Sequence, residues 1–314
     1  MPATTEPPRH QLPAAGRWHR VDADDGVRLR VFAWPHHRPR ARLLLLQGCA
    51  DFLEKWARPM AELHALGLAI LAFDWRGQGE STRLVPGDLG HVDDVGQYCA
   101  DLRAVASAAP ALLPGNRPWF ALGHSMGRLV LMLALARRAL PLPLAGAILT
   151  APFVGFALAL RRPILALAHL HVAQGRRYRP ALGQRSWGPH RLAPSRMRRL
   201  TFDPDLFHDD GRWIARCPEL AVGGVSWGWL AALDRAHREL PTARLDALSV
   251  PVLALLAGRE RLVANAAARR VLARIPGAEV ALLAEARHEI LRERPEVRAE
   301  ALSRIQSFLA RTAG

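Results

Sequence analysis

Residues 119–127 read Trp119-Phe120-Ala121-Leu122-Gly123-His124-Ser125-Met126-Gly127, and the chain continues Arg128-Leu129-Val130-Leu131-Met132-Leu133. The apolar run before Gly123 predicts a buried strand, and the longer apolar run after Gly127 predicts a helix. Between them stands Gly-x-Ser-x-Gly. That pattern places a serine on a sharp, strained strand-to-helix turn, where its hydroxyl is presented to a substrate. The flanking glycines keep side chains out of a close backbone approach, and the helix N-terminus beneath favours developing negative charge. Five residues of this kind recur by chance; the position between strand and helix is what gives the match meaning. Ser125 is the candidate nucleophile.

A serine hydroxyl needs a base to take its proton, and the base needs an acid to orient it. On a site of this type the chain order is nucleophile, acid, base. Two histidines lie beyond Ser226, His237 and His288. His237 sits in a helical run beside Arg and Glu and reads as a surface residue. His288 lies in Glu285-Ala286-Arg287-His288-Glu289, after an apolar run and before the terminal helix, and is the candidate base. The loop Gly258-Arg259-Glu260-Arg261-Leu262-Val263 follows another apolar run and holds one carboxylate, Glu260. It is the candidate acid, since either Asp or Glu can accept the imidazole N–H if the backbone accommodates the length. For the oxyanion, the backbone N–H of Met126 is expected to be one donor and that of Cys49, in the Gln47-Gly48-Cys49 turn, the other.

Short apolar runs alternate with helical patterns along the chain, the signature of βα units around a mostly parallel sheet. Expected strands are Leu43–Gln47, Ala69–Asp74, Trp119–Gly123, Ala147–Thr150, Val252–Ala257 and Val280–Leu283, apolar throughout as buried parallel strands should be. The more alternating Val27–Ala33 suits an antiparallel edge strand. Expected helices are Glu54–Leu66, Val92–Ala109, Met126–Leu140, Asn265–Ile275, with Asn265 as its cap, and Pro295–Ala310. From about Phe153 to Leu245 the pattern breaks: no strand is evident, and prolines, arginines and Trp187, Trp213, Trp227 and Trp229 accumulate. Such a segment reads as an inserted helical cap. The expected organisation is a disordered segment 1–16, an α/β core over 17–152, the cap over 153–245 and the rest of the core over 246–314.

The 314 residues carry a net charge of +15, with an isoelectric point near 11.4 and a mean hydropathy near zero. Lys55 is the only lysine, so the basic charge is almost all arginine. With abundant Ala, Leu, Pro and Gly this points to coding bias first and to attraction towards an anionic membrane surface second. No nucleic-acid motif accompanies the charge, so no nucleic-acid partner is expected. Cys49, Cys99 and Cys217 are three and scattered, which gives neither a disulfide framework nor a zinc site; no cofactor or metal is implied. The N-terminus lacks the apolar core of a signal peptide, and Arg161 and Arg162 interrupt the longest apolar stretch. A cytoplasmic protein is expected, with peripheral contact at the inner face of the membrane as an extension of the charge argument.

From about Asp25 to Phe308 the chain resembles the lysophospholipase L2 and monoacylglycerol-lipase group of α/β hydrolases, of the serine aminopeptidase S33 type. The resemblance rests on Leu46-Gln47-Gly48, Glu54-Lys55-Trp56, Phe73-Asp74-Trp75-Arg76-Gly77-Gln78-Gly79-Glu80-Ser81, His91-Val92-Asp93-Asp94, Gly123–Gly127 and Ala286-Arg287-His288-Glu289. It implies the α/β-hydrolase fold: a mostly parallel eight-stranded sheet flanked by helices, with an inserted helical cap. It implies a triad of Ser125, Glu260 and His288, oxyanion donors at Cys49 and Met126, and a structural turn at Asp74–Ser81. Three positions depart from the group. Gln47 replaces a common histidine, Glu260 replaces the usual aspartate, and Arg128 stands where a small residue is usual. Arg128 is expected to crowd the helix–strand packing and to place a positive charge at a helix N-terminus.

The expected activity is carboxylic-ester hydrolysis through an acyl-enzyme, with single-chain lipid esters the substrate class that the resemblance implies. A short-chain carboxylesterase, an aminopeptidase, and a catalytically retired protein that binds ligands or membranes remain open alternatives. The peptidase would need acidic groups in the cap to hold a substrate amine, and the cap is basic, with Asp203, Asp205, Asp209 and Asp210 its main acids.

Overall fold

A computed structural model describes residues 10–152, 161–240 and 243–312. Expectations for residues 1–9, the start of the cap at 153–160 and the tail at 313–314 fall outside them. Eight strands form one sheet in the order β1 (Arg17–Asp22), β2 (Arg28–Trp34), β4 (Leu68–Phe73), β3 (Ala41–Leu46), β5 (Trp119–His124), β6 (Leu144–Thr150), β7 (Val252–Ala257) and β8 (Glu279–Leu283). β2 runs antiparallel to β1 and β4; every other pairing is parallel. Val27–Ala33 is therefore not the edge strand it promised to be. The edges are β1, Arg-Trp-His-Arg-Val-Asp, whose residues are all exposed or half-buried, and β8, which is not the buried strand expected of Val280–Leu283 because it pairs on one side alone and leaves Val280 and Leu282 exposed. The polarity of β1 hid it in the sequence: it pairs with β2 on one side alone, and only His19 and Val21 of its side chains are even half-buried.

The central strands separate two apolar layers with the period of two that a pleated strand imposes. Along β3, Leu44 and Leu46 join one layer while Leu43 and Leu45 join the other. The first layer is covered by α2 (Val95–Leu112), α3 (Met126–Ala136) and α8 (Asn265–Leu272). The second is covered by α1 (Ala57–Ala65) and α9 (Pro295–Thr312). Each fully buried leucine contributes about 1.5–3 kcal/mol, so this double layer makes the sheet a stiff base for the loops at its carboxyl edge.

Two helix starts differ in instructive ways. Asp94 caps α2 through Gly96 N, and Gln97 completes a capping box. Asn265 does not cap α8. The N-cap is Ala264, and the Asn265 amide instead donates to Ala257 O at 2.8 Å, tying the helix to the end of β7.

Between β6 and β7 the described residues form α4 (Arg161–Ala173), α5 (Pro194–Leu200), α6 (Pro204–Arg216) and α7 (Trp227–Glu239), joined by loops and short 3-10 turns. Asp203 caps α6 and Ser226 caps α7. Gly90 pairs with this segment through Gly224 O and Ser226 N, and the buried His91 meets Ser226 Oγ at 2.7 Å. No described helix is long and apolar enough to cross a membrane.

Candidate active site

β5 ends at His124 and α3 begins at Met126, leaving Ser125 alone at the corner with φ 49° and ψ −111°. Left-handed φ is costly for a residue with a Cβ and persists only where the surroundings over-determine it. Here Ser125 N donates to Thr150 O at 3.0 Å, and both flanking glycines are sterically obligatory. A Cβ on Gly127 would lie 2.4 Å from Leu46 O, and one on Gly123 would lie 2.7 Å from Arg128 Cα.

His288 reaches this corner from the loop after β8. Its Nε2 stands 3.0 Å from Ser125 Oγ and its Nδ1 2.8 Å from Glu260 Oε2. With the ring proton on Nδ1, Glu260 accepts it and Nε2 is left to accept from the serine. Glu260, on the loop after β7, is itself held: Oε1 accepts from the N–H groups of Arg261 (2.9 Å), Leu262 (2.7 Å) and Val263 (3.3 Å). Burial pushes its carboxyl up, but His288 and the amides of Leu262 and Val263 outweigh that and hold it below the ordinary carboxylate value. The glutamate thus spans the position with one oxygen on the loop and one on the histidine. His237 lies on α7 and is not part of this cluster.

The loop after β3 lies alongside. A Cβ on Gly48 would come 3.5 Å from Ser125 Cβ and 3.1 Å from the His124 ring. Among the described residues, neither Cys49 N–H nor Met126 N–H meets an acceptor, so both donors are available. Burial pushes the Cys49 thiol up to about 12, so it stays protonated and unreactive at neutral pH. Gln47 is buried, and its backbone carbonyl accepts from Trp75 Nε1 at 3.0 Å.

What fixes this loop was not evident in the sequence. Asp51 Oδ2 accepts from Gly48 N at 2.9 Å and Trp56 Nε1 at 3.2 Å, while Asp51 N donates to Gln78 Oε1. Asp51 Oδ1 is 2.7 Å from Lys55 Nζ, which also meets Glu289 at 2.7 Å and Asp210 of α6 at 3.4 Å. Arg292 closes the cluster on Glu289 (2.6 Å) and Asp210 (2.7 Å). One buried ionic network therefore joins the loop after β3, the residue following His288, and α6. The usable signal was Lys55 itself, a single lysine in a chain that otherwise uses arginine. A compact ammonium with three freely directed donors suits a point where three carboxylates converge; a planar guanidinium does not.

The turn Asp74–Ser81 is structural, as the resemblance implied. Gly77 and Gly79 have φ of 76° and 51°, and a Cβ on Gly79 would land 2.1 Å from Asp74 Oδ2. Asp74 accepts from Leu53 N and Glu80 N and pairs with Arg30. Arg76 is locked to Asp101 and Asp25, both at 2.6 Å.

Arg128 is accommodated without disturbing the turn. It is fully buried in α3, and desolvation pushes its guanidinium down to about 9. His124, beside His288 with ring centroids 5.2 Å apart, is pushed down to about 4 by burial and then by His288. It stays neutral at neutral pH and does not oppose a charge on His288. No cluster of metal-ligating side chains occurs among the described residues.

With this geometry in hand, comparisons with known proteins agree in direction. Residues 37–295 match the family described as serine aminopeptidase, S33. The chain is 30% identical over 303 residues to lysophospholipase L2 of Escherichia coli strain K12, covering 92% of this chain and 85% of the relative. It is 27% identical over 301 residues to human monoglyceride lipase, covering 95% and 92%. Among solved structures, a soluble variant of monoglyceride lipase from Saccharomyces cerevisiae superposes with a TM-score of 0.77 at 18% identity, covering 98% of this chain and all of that one. The chain belongs to the serine aminopeptidase S33 family of α/β hydrolases, in the group of lysophospholipase L2 and the monoglyceride lipases.

Proposed function

We propose that the protein hydrolyses carboxylic esters of single-chain lipids through an acyl-enzyme on Ser125. The observation that carries this reading is the relay Ser125–His288–Glu260, at 3.0 and 2.8 Å, with the serine strained at the corner of strand and helix. In the first step Ser125 Oγ bonds to the ester carbonyl carbon while its proton passes to His288 Nε2. The carbonyl oxygen takes up the negative charge and is met by the N–H groups of Cys49 and Met126, each worth about 3–4 kcal/mol to the transition state. As the tetrahedral species collapses, the C–O bond to the alcohol breaks and His288 returns the proton to the leaving oxygen. Water then repeats the sequence on the acyl-enzyme and releases the carboxylic acid. Glu260 holds the imidazole and stabilises its cation without taking the proton.

The lipid part of the reading draws on what the relatives are named for and on the surface between β6 and β7. Leu170, Tyr178 and Leu182 are more than half exposed there, beside the exposed Arg176, Arg179 and Arg185. Apolar side chains interleaved with cations suit an anionic membrane surface that supplies lipid esters. An aminopeptidase is disfavoured by the same segment. Asp203, Asp209 and Asp210 are committed to Arg298, Arg212 and Arg292, and offer no carboxylate for a substrate amine.

Labelling with a fluorophosphonate probe, wild type beside Ser125→Ala, tests the nucleophile without knowledge of the substrate. Labelling lost in the variant is expected. Failure of folded wild type to label would sink the enzyme reading. Sedimentation with phosphatidylglycerol and with phosphatidylcholine vesicles tests the membrane contact. Equal binding to both would remove the electrostatic part.

A further inference from the structure

Two cations of the segment between β6 and β7 have no task in the relay or in the buried network. Arg191 lies in the 3-10 turn Pro189–Leu192, and Arg196 on α5. Their segment is pinned at both ends. Arg191 Nη2 donates to Val222 O (3.0 Å) and Gly223 O (3.1 Å), and Glu289 N donates to Leu200 O (2.8 Å), which ties the end of α5 to the residue after His288. Leu192 packs against Gly211 of α6, where a Cβ would meet it at 2.7 Å. Nearby, Phe52 on the loop after β3 packs with Trp187, Trp213, Ile214 and Leu220. The segment is thus a fixed cover over the loop that carries Cys49.

Both guanidinia act electrostatically on the Cys49 thiol and on each other. Both remain part-exposed, so a ligand can reach them. Burial among protein atoms pushes Arg191 down to about 10 and lowers Arg196 as well. Among the described residues, no carboxylate lies within 4.0 Å of either guanidinium. The carboxylates that act on Arg196 from farther off, Glu289 and Asp210, are already taken by Lys55 and Arg292. Asp88, which acts on Arg191, is turned to Trp187 N. Two desolvated cations with no direct counter-ion, beside an oxyanion loop, are arranged for an anion that arrives with the substrate.

We propose that Arg191 and Arg196 form the subsite for the phosphate of a single-chain lysophospholipid whose ester carbonyl lies at Ser125. The inference rests on the lipid-ester reading above and adds the head-group class to it. The planar forks of two arginines match phosphate oxygens bidentately, and such charge-assisted contacts are the stronger kind of hydrogen bond. In the substrate only the glycerol backbone separates phosphate from ester, so a phosphate cradle belongs next to the oxyanion loop. An uncharged monoacylglycerol would leave the two cations without a partner.

The test compares kcat/KM for a lysophosphatidic acid and a monoacylglycerol of the same acyl chain, in wild type, Arg191→Gln and Arg196→Gln. Arg304→Gln on the exposed face of α9 controls for net charge. The ratio of phospholipid to neutral lipid is expected to fall by about 10- to 100-fold in each subsite variant and to hold in the control. A ratio within twofold of wild type in both variants would overturn the subsite. Titration of Ser125→Ala protein with the same lysophosphatidic acid reads binding without turnover, and affinity should drop in the double variants with Arg196→Gln. Inorganic phosphate is the third arm. Inhibition of p-nitrophenyl butyrate hydrolysis by phosphate as potent as that by the lysophospholipid would assign the site to a free anion and overturn the lipid assignment. If wild type hydrolyses the butyrate ester and neither lipid, the lipid-ester reading itself has failed, which is a different result from an unchanged ratio.

Discussion

Shortening Glu260 to aspartate removes one methylene, about 1.5 Å of reach, from a side chain stretched between two sets of partners. One oxygen is fixed on the N–H groups of Arg261, Leu262 and Val263, the other on His288 Nδ1 at 2.8 Å. If the carboxylate stays on the loop, the distance to Nδ1 grows to roughly 4 Å and the bond is lost. A hydrogen bond to a charged group is worth about 1.5–3 kcal/mol, so kcat/KM for p-nitrophenyl butyrate should fall about 10- to 100-fold in Glu260→Asp. Glu260→Gln keeps the length but turns an acceptor into a potential donor. It lets the imidazole place its proton on Nε2, the atom that must accept from Ser125, and the loss should approach about 10,000-fold. Thermal melts of both variants should show intact folds, and their fluorophosphonate labelling rates should follow the same order. Activity of Glu260→Asp within twofold of wild type, or a glutamine variant no worse than the aspartate, would refute the reasoning.

The remaining predictions concern what holds the site. Lys55→Met leaves Asp51, Glu289 and Asp210 facing one another in the interior and should cost about 3–5 kcal/mol in urea unfolding. Burial raises the carboxyl of Glu289, but Lys55 and Arg292 outweigh it and hold it far below the ordinary glutamate value of 4.5. That contribution is complete above about pH 4.5 and is lost as pH falls towards the depressed folded value, so acid unfolding followed by tryptophan fluorescence should begin below that pH. A transition unaffected by Lys55→Met would count against it. Gly127→Ala must displace the carbonyl of Leu46 from 2.4 Å and should destabilise by about 3 kcal/mol, with loss of probe labelling.

Much of this was legible because one elementary rule governed it. β3 to β7 are apolar on both faces, so parallel strands and their order of appearance could be read directly, and the elbow announced itself by two glycines that geometry leaves no room to replace. His288 and Glu260 followed from where loops must fall after β8 and β7. Edges and ends were less legible. β1 is half polar because one side of it has no neighbour, and Asn265 turned to a strand carbonyl instead of its own helix, a choice set by tertiary contact. The network around Lys55 left only that single lysine as a trace, because its five charges are scattered from Asp51 to Arg292 and meet only after folding.

That lysine has one more consequence. Every other basic side chain of the protein is an arginine or a histidine, and the lone ε-amine is sealed under the site by three carboxylates. An acylating reagent aimed at primary amines finds no lysine on the folded surface. Modification of Lys55 then becomes a clock for the opening of the network, readable by peptide mass at a single position. Because that network spans the loop after β3, the segment after His288 and α6, the same position times the loosening of the catalytic floor as a unit.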